Sequence, residues 1–530
     1  MSTAGSSQSN IPPQQDDLKK SSLRNGMLAG QHTQPDWDFE SFEDFLKNDR
    51  DALSIWLGDD LFNAFHPTSS HHLKTFIRGQ IDRDLAQIDT LIAQQIDAIL
   101  HHPRFSRFEG SWRGLHWLVS SCDPAENIHI RVFSMKWHEL ERDFARALEF
   151  DQSSFFKLIY EDEFGHPGGQ PFGLLVIDHE IAHQPKKRTA FDPTPPVDDV
   201  AVLRQIAAVS AAAFIPTILT ASPRLLGVES FSELSLTQHI TAALADMDHI
   251  RWRSFVTQED TRFLCLTLPR MRARARWSRD NNILRHEEYA PSSQEVCWHS
   301  ASYAFARNVL RAQHNYNWPA DVRGVTPGQE TGSFVSDTVK DPFRFGAITQ
   351  IPRAPIEVAF SAPQTQDLLE AGFMPLNTLP FGGTAFASTR SLQATPTTPR
   401  NPTAEQANRR ISAEIVSLLC VCRFAHHIKM LGRDMIGRIA TPSALERELQ
   451  DWLGRYTNAS SLSSGESRAR YPLLSSRVAI SAREDQPGHY GCIIHLQPHY
   501  QLDDISTTFR LVTTLSSAER SAAPAQLETT

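Results

Sequence analysis

The side chains best suited to chemistry in this chain are its 22 histidines, its six cysteines and a few acidic residues set beside them. The histidines that touch in sequence, His71-His72, His101-His102 and His426-His427, make poor metal ligands. Neighbouring residues on a helix diverge by about 100°, so the two rings of such a pair cannot share an ion. His179-Glu180-Ile181-Ala182-His183 spells H-E-x-x-H, but that motif holds zinc when its histidines share one face of a helix, and here it ends an apolar run that reads as a strand. Cys420-Val421-Cys422 is the one close cysteine pair, and without a C-x-x-C there is no zinc or redox signature. That leaves Asp178-His179-Glu180, which ends the apolar run Phe172–Asp178 where α/β sheets place active sites. A cytosolic hydrolase using Asp178 and His179 would be the matching activity. A nucleophile elbow, a P-loop and a G-x-G-x-x-G are all missing, however. Polar residues capping a loop explain the triplet without catalysis. The expectation is a non-enzyme with no cofactor and no metal.

The elements that would position this strand end read as α/β. Phe172–Asp178 is short and continuously apolar, as a strand buried on both faces would be. An Ala-rich helix at Val200–Phe214 follows, then apolar strands at Pro216–Ala221 and Phe263–Leu268. Strand, helix, strand in that order is the βαβ unit of a parallel sheet. Upstream, Ile128–Phe133 alternates apolar and polar residues, which predicts a half-buried strand. Helices are predicted at Trp137–Leu148 and Ser153–Tyr160, with Asp151 or Ser153 as cap.

Before these comes Arg104–Val119, RFSRFEGSWRGLHWLV. Phe105, Phe108, Trp112, Leu115 and Val119 recur at intervals of three and four, one apolar stripe on a helix. This spacing predicts a buried Trp112. Phe76, Ile81, Leu85, Ile88, Ile92, Ile96 and Ile99 keep the same period in a long run before it. His102-Pro103 breaks the run, because proline bars its predecessor from helical geometry. The two runs predict a helical hairpin.

Charge and the chain ends bound the rest. A net charge of −9 and a pI near 6.2 give no bulk attraction to nucleic acid or anionic membrane. Residues 1–35 are rich in Ser, Gln, Asn, Pro and Thr, and bury too little to order themselves. Trp37–Phe65 carries short amphipathic pieces that suit small docking helices. No secretory h-region and no run of eighteen apolar residues stands out, so a cytoplasmic protein without membrane insertion is expected.

The string Phe108-Glu109-x-x-Trp112-Arg113-Gly114-Leu115-His116-x-Leu118-Val119 closely resembles the signature of the large sheath subunit of bacterial type VI secretion systems. This is the TssC/VipB-like family, related to phage tail sheaths. Further co-linear blocks support the resemblance, among them Tyr160-Glu161-x-Glu163-Phe164-Gly165, Leu226-Gly227-x-Glu229-Ser230-Phe231 and Trp252-Arg253-Ser254-Phe255. Leu266–Arg270, Ala371-Gly372-Phe373-x-Pro375-Leu376, Arg423–His426 and Pro498–Leu502 continue it, so that it covers roughly residues 75–513. Arg272–Trp277, Ser361–Asp367 and Gln497 depart from the family pattern.

The resemblance implies a mixed α/β (α+β) fold, with a tail-sheath-like inner domain holding the C-terminal strands and a helical and sheet-bearing outer part. It places a disordered tail at 1–35, docking helices and linker at 36–70, a sheath core at 71–375, a C-terminal sheath region at 376–513 and a disordered tail at 514–530. It implies a mechanical role, in heterodimers with the small sheath subunit that stack in six-fold rings around inner-tube hexamers. The other implied partners are further large-subunit copies, the baseplate, and an AAA+ ATPase that disassembles the sheath mainly through the small subunit. A divergent paralogue serving as a baseplate or accessory assembly protein is the alternative.

Two places would carry the assembly. Arg477–Ala482 and Tyr490–Leu496 are β-prone segments around a Pro-Gly turn, and Ser506–Val512 is a third. A small antiparallel unit has open edges that template another chain's strand, and the resemblance implies such exchange between protomers. Val478, Ile480, Ile493 and Ile494 are the candidate residues there, with 477–496 as the joining edge. Ile88, Ile92 and Trp112 are candidates for the face that meets the small subunit.

Overall fold

The computed structural model describes residues 23–29, 56, 70–123, 128–165, 168–185, 195–278, 286–326, 328–340, 342–345, 349–352, 354–379, 383–394, 413–435, 441–460, 465–482, 490–499, 509–515 and 527–529. They fall into two units, 1–102 with 276–289, and 103–275 with 290–530.

The first unit is built on helix α1 (Leu23–Leu28) and the long α2 (Ser70–Leu100). Asp84 of α2 is 2% exposed and accepts hydrogen bonds from Arg24, at 2.7 and 2.9 Å, and from Trp56 and Gln80. A buried carboxylate is tolerated only when its oxygens are so occupied. The Arg24 hydrogen bond, against the cost of burial, holds Asp84 below the usual carboxylate range. Helix α1 thus lies inside the expected N-terminal tail, as a helix tethered by this ion pair. Further along α2, Asp97 meets His286 at 3.0 Å, and His101 beyond its end meets Glu288 at 3.2 Å.

The second unit opens with α3 (Pro103–Val119), whose proline occupies a first-turn position where its missing N–H costs nothing. The break expected at His102-Pro103 is where α2 and α3 part. After α3, residues 128–135 belong to neither helix nor strand, and Val132 and Phe133 are 64% and 59% exposed. This corrects the half-buried strand: the alternation is there, but no neighbouring main chain among the described residues pairs with it. Helix α4 (Trp137–Arg146) follows, and Ser153 caps the next turn by accepting from Phe156 N–H at 3.1 Å.

Chain order then gives β1 (Leu175–Ile181), α5 (Asp199–Ala213), β2 (Thr217–Ala221) and β3 (Leu264–Leu268). Two short pairs come next in sequence, β4 (Met271–Arg272) with β5 (Trp298–His299), and, beyond α6 (Ser302–Tyr316) and β6 (Phe334–Val335), β7 (Pro342–Phe345) with β8 (Thr349–Pro352). Helix α7 (Ala362–Glu370) leads to β9 (Phe373–Thr378) and β10 (Thr384–Phe386). The main sheet has the order β1-β2-β3-β9-β10-β6. Its first four strands are parallel, with Ile218 opposite Cys265 and Leu266 opposite Phe373, while β10 runs antiparallel to β9 and β6. The βαβ reading holds for β1, α5 and β2. Strand β1 is an edge, though, and only partly covered, rather than buried on both faces.

Each face of this sheet carries its own core, as the period of two requires. Leu219, Leu266, Leu268 and Phe373 face one way, against α4 and α5. Ile218, Cys265, Met374 and Leu376 face the other. There they meet α6, α8 (Ile415–Met435) and α9 (Pro442–Gly454). Helix α10 (Gly465–Arg470) precedes the C-terminal sheet, an antiparallel set of four strands in the order β11 (Leu473–Ala482), β12 (Tyr490–Pro498), β13 (Phe509–Leu515) and β14 (Leu527–Thr529). Strand β14 lies within the tail expected over 514–530. Leu473, Val478, Cys492, Ile494 and Leu496 close the second core from this side.

Candidate assembly surfaces

The triplet with the best claim to chemistry is taken apart on β1, where the register shifts between Val176 and Glu180 and each side chain takes a different neighbour. Asp178 accepts from the Tyr303 hydroxyl of α6 at 3.0 Å. His179 turns the other way, stacked on Trp137 at 4.1 Å with its Nε2 3.4 Å from Asp199. Glu180 takes Arg270 in a bidentate pair at 2.5 and 2.8 Å. Asp178 and His179 therefore have separate partners rather than one another, and this geometry gives the hydrolase reading no support.

Glu180 opens a half-buried network that sequence patterns did not indicate. Arg270 also reaches Glu357 at 3.4 Å, and Glu357 accepts from Ser230 and Ser293, each at 3.0 Å. Burial raises the Glu357 carboxyl above its ordinary range. It does the same to Glu180, but the Arg270 charge outweighs it and lowers Glu180 overall. These contacts join the end of β1 to residues after β3 and before α7, so they are glue. Arg270 and Ser230 both stand within the family-like blocks, the one signal that could have pointed here.

Helix α3 departs most from its sequence reading. Its buried residues are Gly110, Gly114 and Leu118, whereas Phe108 and Trp112 are 61% and 57% exposed. Trp112 as a core residue is therefore wrong, and the reason is the approach distance. A Cβ on Gly110 would stand 2.0 Å from the carbonyl oxygen of Trp298 in β5, and one on Gly114 would stand 2.6 Å from the Tyr303 ring. The helix packs through its bare side, one turn apart, and turns its aromatic stripe to solvent. Phe108 and Trp112 meet edge to face at 6.1 Å, with Phe105 and Val119 exposed on the same stripe. Glu109 anchors the helix through Arg113 at 2.7 Å and Arg274 at 2.8 Å. Burial opposes its ionisation, but these two guanidinium groups keep it below the usual carboxylate range. Trp117 is held instead, donating to the Asp337 carbonyl at 3.1 Å beneath the Arg307 guanidinium.

Helix α2, in the first unit, presents a comparable row. Phe76, Leu85, Ile92 and Ile99 are exposed, and Ile88 is half-buried. An apolar row left open on a helix is where a partner can gain most.

In the C-terminal sheet, Val478 and Ile494 are 4% and 0% exposed and Ile480 packs against the same core. Their side chains face inward, so they could serve a neighbour only through main chain. Ile493 points the other way, but β12 is an inner strand with Ile493 opposite Ala479 on one side and Val512 on the other. Residues 490–496 therefore offer no free edge, which corrects the joining edge expected at 477–496. Among the described residues no three His, Cys, Asp or Glu side chains gather as a metal site needs. Helix α8 has the length and apolar content of a membrane span, but most of that stretch lies inside the fold.

Two matches to known proteins bear on this arrangement. Residues 82–393 match a family model described as EvpB/VC_A0108, tail sheath N-terminal domain, and residues 404–515 match EvpB/VC_A0108, tail sheath gpW/gp25-like domain. Over 453 residues the chain is 34% identical to a type VI secretion system sheath protein, TssC1, of Pseudomonas aeruginosa. That similarity covers 83% of this chain and 86% of the relative.

Proposed function

Because this chain belongs to the type VI secretion tail-sheath family and is a structural sheath protein, we propose that it is the large subunit of a two-chain contractile sheath. The observation that carries this reading is the unbroken succession of both sheath domains over 82–393 and 404–515. Its obligate partner is the small sheath subunit, and the pair stacks in six-fold rings around the inner tube in the bacterial cytoplasm. The baseplate starts the stack, and a disassembly ATPase later acts mainly through the small subunit. The extended sheath is a trapped state, and contraction releases packing energy held since assembly. The work is mechanical rather than catalytic.

The open aromatic rows support a partner of this kind. Trp112, Phe108, Ile92 and Ile88 offer large apolar side chains of the sort that centre a protein interface. Expressed alone, the chain is expected to aggregate through these rows. Co-expressed with the neighbouring small-subunit gene, it is expected to give long hollow tubules by negative-stain microscopy. A stable monodisperse chain made without a partner would count against the proposal. A soluble pair that never forms tubules would identify an accessory paralogue instead.

A further inference from the structure

The two histidines of the H-E-x-x-H string part company at the end of β1. His179 stacks on Trp137, whereas His183 lies two residues past the strand and stacks on His249, with ring centroids 3.8 Å apart and planes 25° from parallel. His249 closes the turn Met247–His249 and stands at the N-terminus of the short helix Ile250–Val256. Its Nε2 donates to the Leu225 carbonyl at 3.0 Å, in the turn Pro223–Leu226 that follows β2. His183 in turn meets the main chain of Arg224, the residue beside Leu225, in a hydrogen bond. The pair thus joins three pieces of chain: the end of β1, the turn after β2 and the start of that helix. A main-chain bond runs alongside, from Ser222 N–H to the Ile181 carbonyl at 2.9 Å.

Neither ring has room for a second proton. The Nδ1 atoms of His183 and His249 are both shut off from solvent and have no hydrogen-bond partner among the described residues. An imidazolium carries N–H on both nitrogens. Charging either ring would therefore leave a buried donor unpaired, which costs more than the loss of an ordinary hydrogen bond. The charge would also lie against the stacked neighbour ring. Of the charged groups around His183, Arg224 opposes protonation and Asp248, next to His249 in sequence, favours it. Asp199 of α5 is already taken, by Ala182 N–H at 2.9 Å and by the Trp137 indole at 2.8 Å. Burial, with His249 and Arg224, outweighs Asp248 and holds His183 below its ordinary value of 6.5. His249 is 3% exposed and His183 is half-buried, so a proton reaches the pair through His183.

We propose that the His183–His249 stack is an acid-released clasp, which ties the end of β1 to the turn after β2 while both rings are neutral and opens when His183 takes a proton. Because His183 is held below 6.5 in the closed form, the open form binds the proton more readily. The clasp is therefore at full strength above 6.5 and weakens as pH falls below it. Opening bares Ile181 and Leu225, both 0% exposed in the closed form. Acid thus gives this edge of the sheet an apolar surface that neutral pH hides. Strands β2, β3 and β9 keep their own pairing throughout. None of this depends on a partner subunit.

Residue-resolved hydrogen exchange tests the clasp, on the full chain co-expressed with the small-subunit gene for solubility and corrected for the pH dependence of free amides. The Ser222 amide reports opening, because its acceptor lies on β1. An open His183 with the ordinary value of 6.5 is about nine-tenths protonated at a pH of about 5.5. Ser222 should therefore open roughly tenfold more often there than at a pH of about 7.5. Leu266 and Thr267 amides, inside the sheet, should show no such change. His183→Phe keeps a stacked ring and has no proton to take, so Ser222 should be slow at both pH values. His183→Gln has no ring to stack and should be fast at both. An equal Ser222 rate at the two pH values in the wild-type chain would overturn the proposal, and so would a full tenfold change surviving in His183→Phe. A tenfold change shared by Leu266 and Thr267 would do the same, because the whole domain would then be opening. Should His183→Phe not fold, His183→Gln decides, since a tenfold change persisting there would assign the acid sensitivity to another group.

Discussion

Helices α3 and α8 are both rich in large apolar residues, yet one turns them outward and the other buries them. In α8, Ile415, Leu418, Val421, Phe424 and Ile428 are each at most 1% exposed, and Phe424 stacks on Trp318 at 4.2 Å. The first two turns of α8, Ile415–Cys422, are apolar on nearly every side, so they have no solvent face to choose and become core. Helix α3 has two candidate faces, a broad aromatic stripe and a narrow one of glycines. The glycine side wins inside this chain, since it lets the helix approach the β5 main chain more closely than any side chain permits. Apolar area alone therefore does not decide which face a chain buries for itself. The wider stripe is left exposed.

Four measurements would sharpen or break that contrast. Phe424→Ala should have the largest effect, about 3–5 kcal/mol of lost stability by chemical denaturation, because it empties the stacked aromatic cluster. A cost under about 1 kcal/mol would mean that α8 is not core in the sense argued. Gly110→Ala and Gly114→Ala come next, at about 1–3 kcal/mol each. Gly110→Ala should lie at the upper end, since a main-chain oxygen cannot rotate aside as the Tyr303 ring can. An unchanged Tm for both would remove the glycine packing of α3.

The third concerns pH. His426 of α8 is buried and donates Nε2–H to the Ala213 carbonyl at 3.0 Å. Burial lowers its pKa to about 3. Between about 3 and the ordinary value of 6.5 the unfolded chain holds a proton on this residue that the folded chain does not. Stability should therefore rise with pH across that window and fall on acidification, by up to about 1.4 kcal/mol per pH unit for one such group. In His426→Gln the slope should shrink by that contribution, and an equal slope would assign the acid sensitivity elsewhere. The smallest expected effect on folding is that of Trp112→Ala, within about 0.5 kcal/mol. Its cost should appear in pull-down of the small subunit, where losing an interface aromatic is worth roughly 2 kcal/mol or more. A drop in soluble yield with pull-down intact would return Trp112 to the core.

The first three strands of the central sheet were legible because they are continuously apolar and follow βαβ order, and β2 and β3 stand within a residue or so of where they were expected. The three main C-terminal strands were legible for a similar reason, with a Pro-Gly turn between the first two. Their neighbours in the sheet were not, because strand order depends on which edges are already filled. The inward side of α3 was missed because glycine adds nothing to an apolar count, although two glycines four residues apart leave room for close contact. Residues 128–135 show the complementary error, since alternation describes a segment that can pair and says nothing about whether a partner is present.

The place of β9 beside β3 has a consequence for how the protein is made. Residues 269–372 lie between the two strands, so β3 leaves the ribosome long before the strand that covers its second edge. At about 5–20 residues per second, that interval lasts on the order of ten seconds. Throughout it, Leu264–Leu268, five residues with no charge among them, present an unpaired edge in a nascent chain. Yield in a living cell should therefore depend on the pace of translation through 269–372 and on chaperones that shield β3, before any subunit has met another.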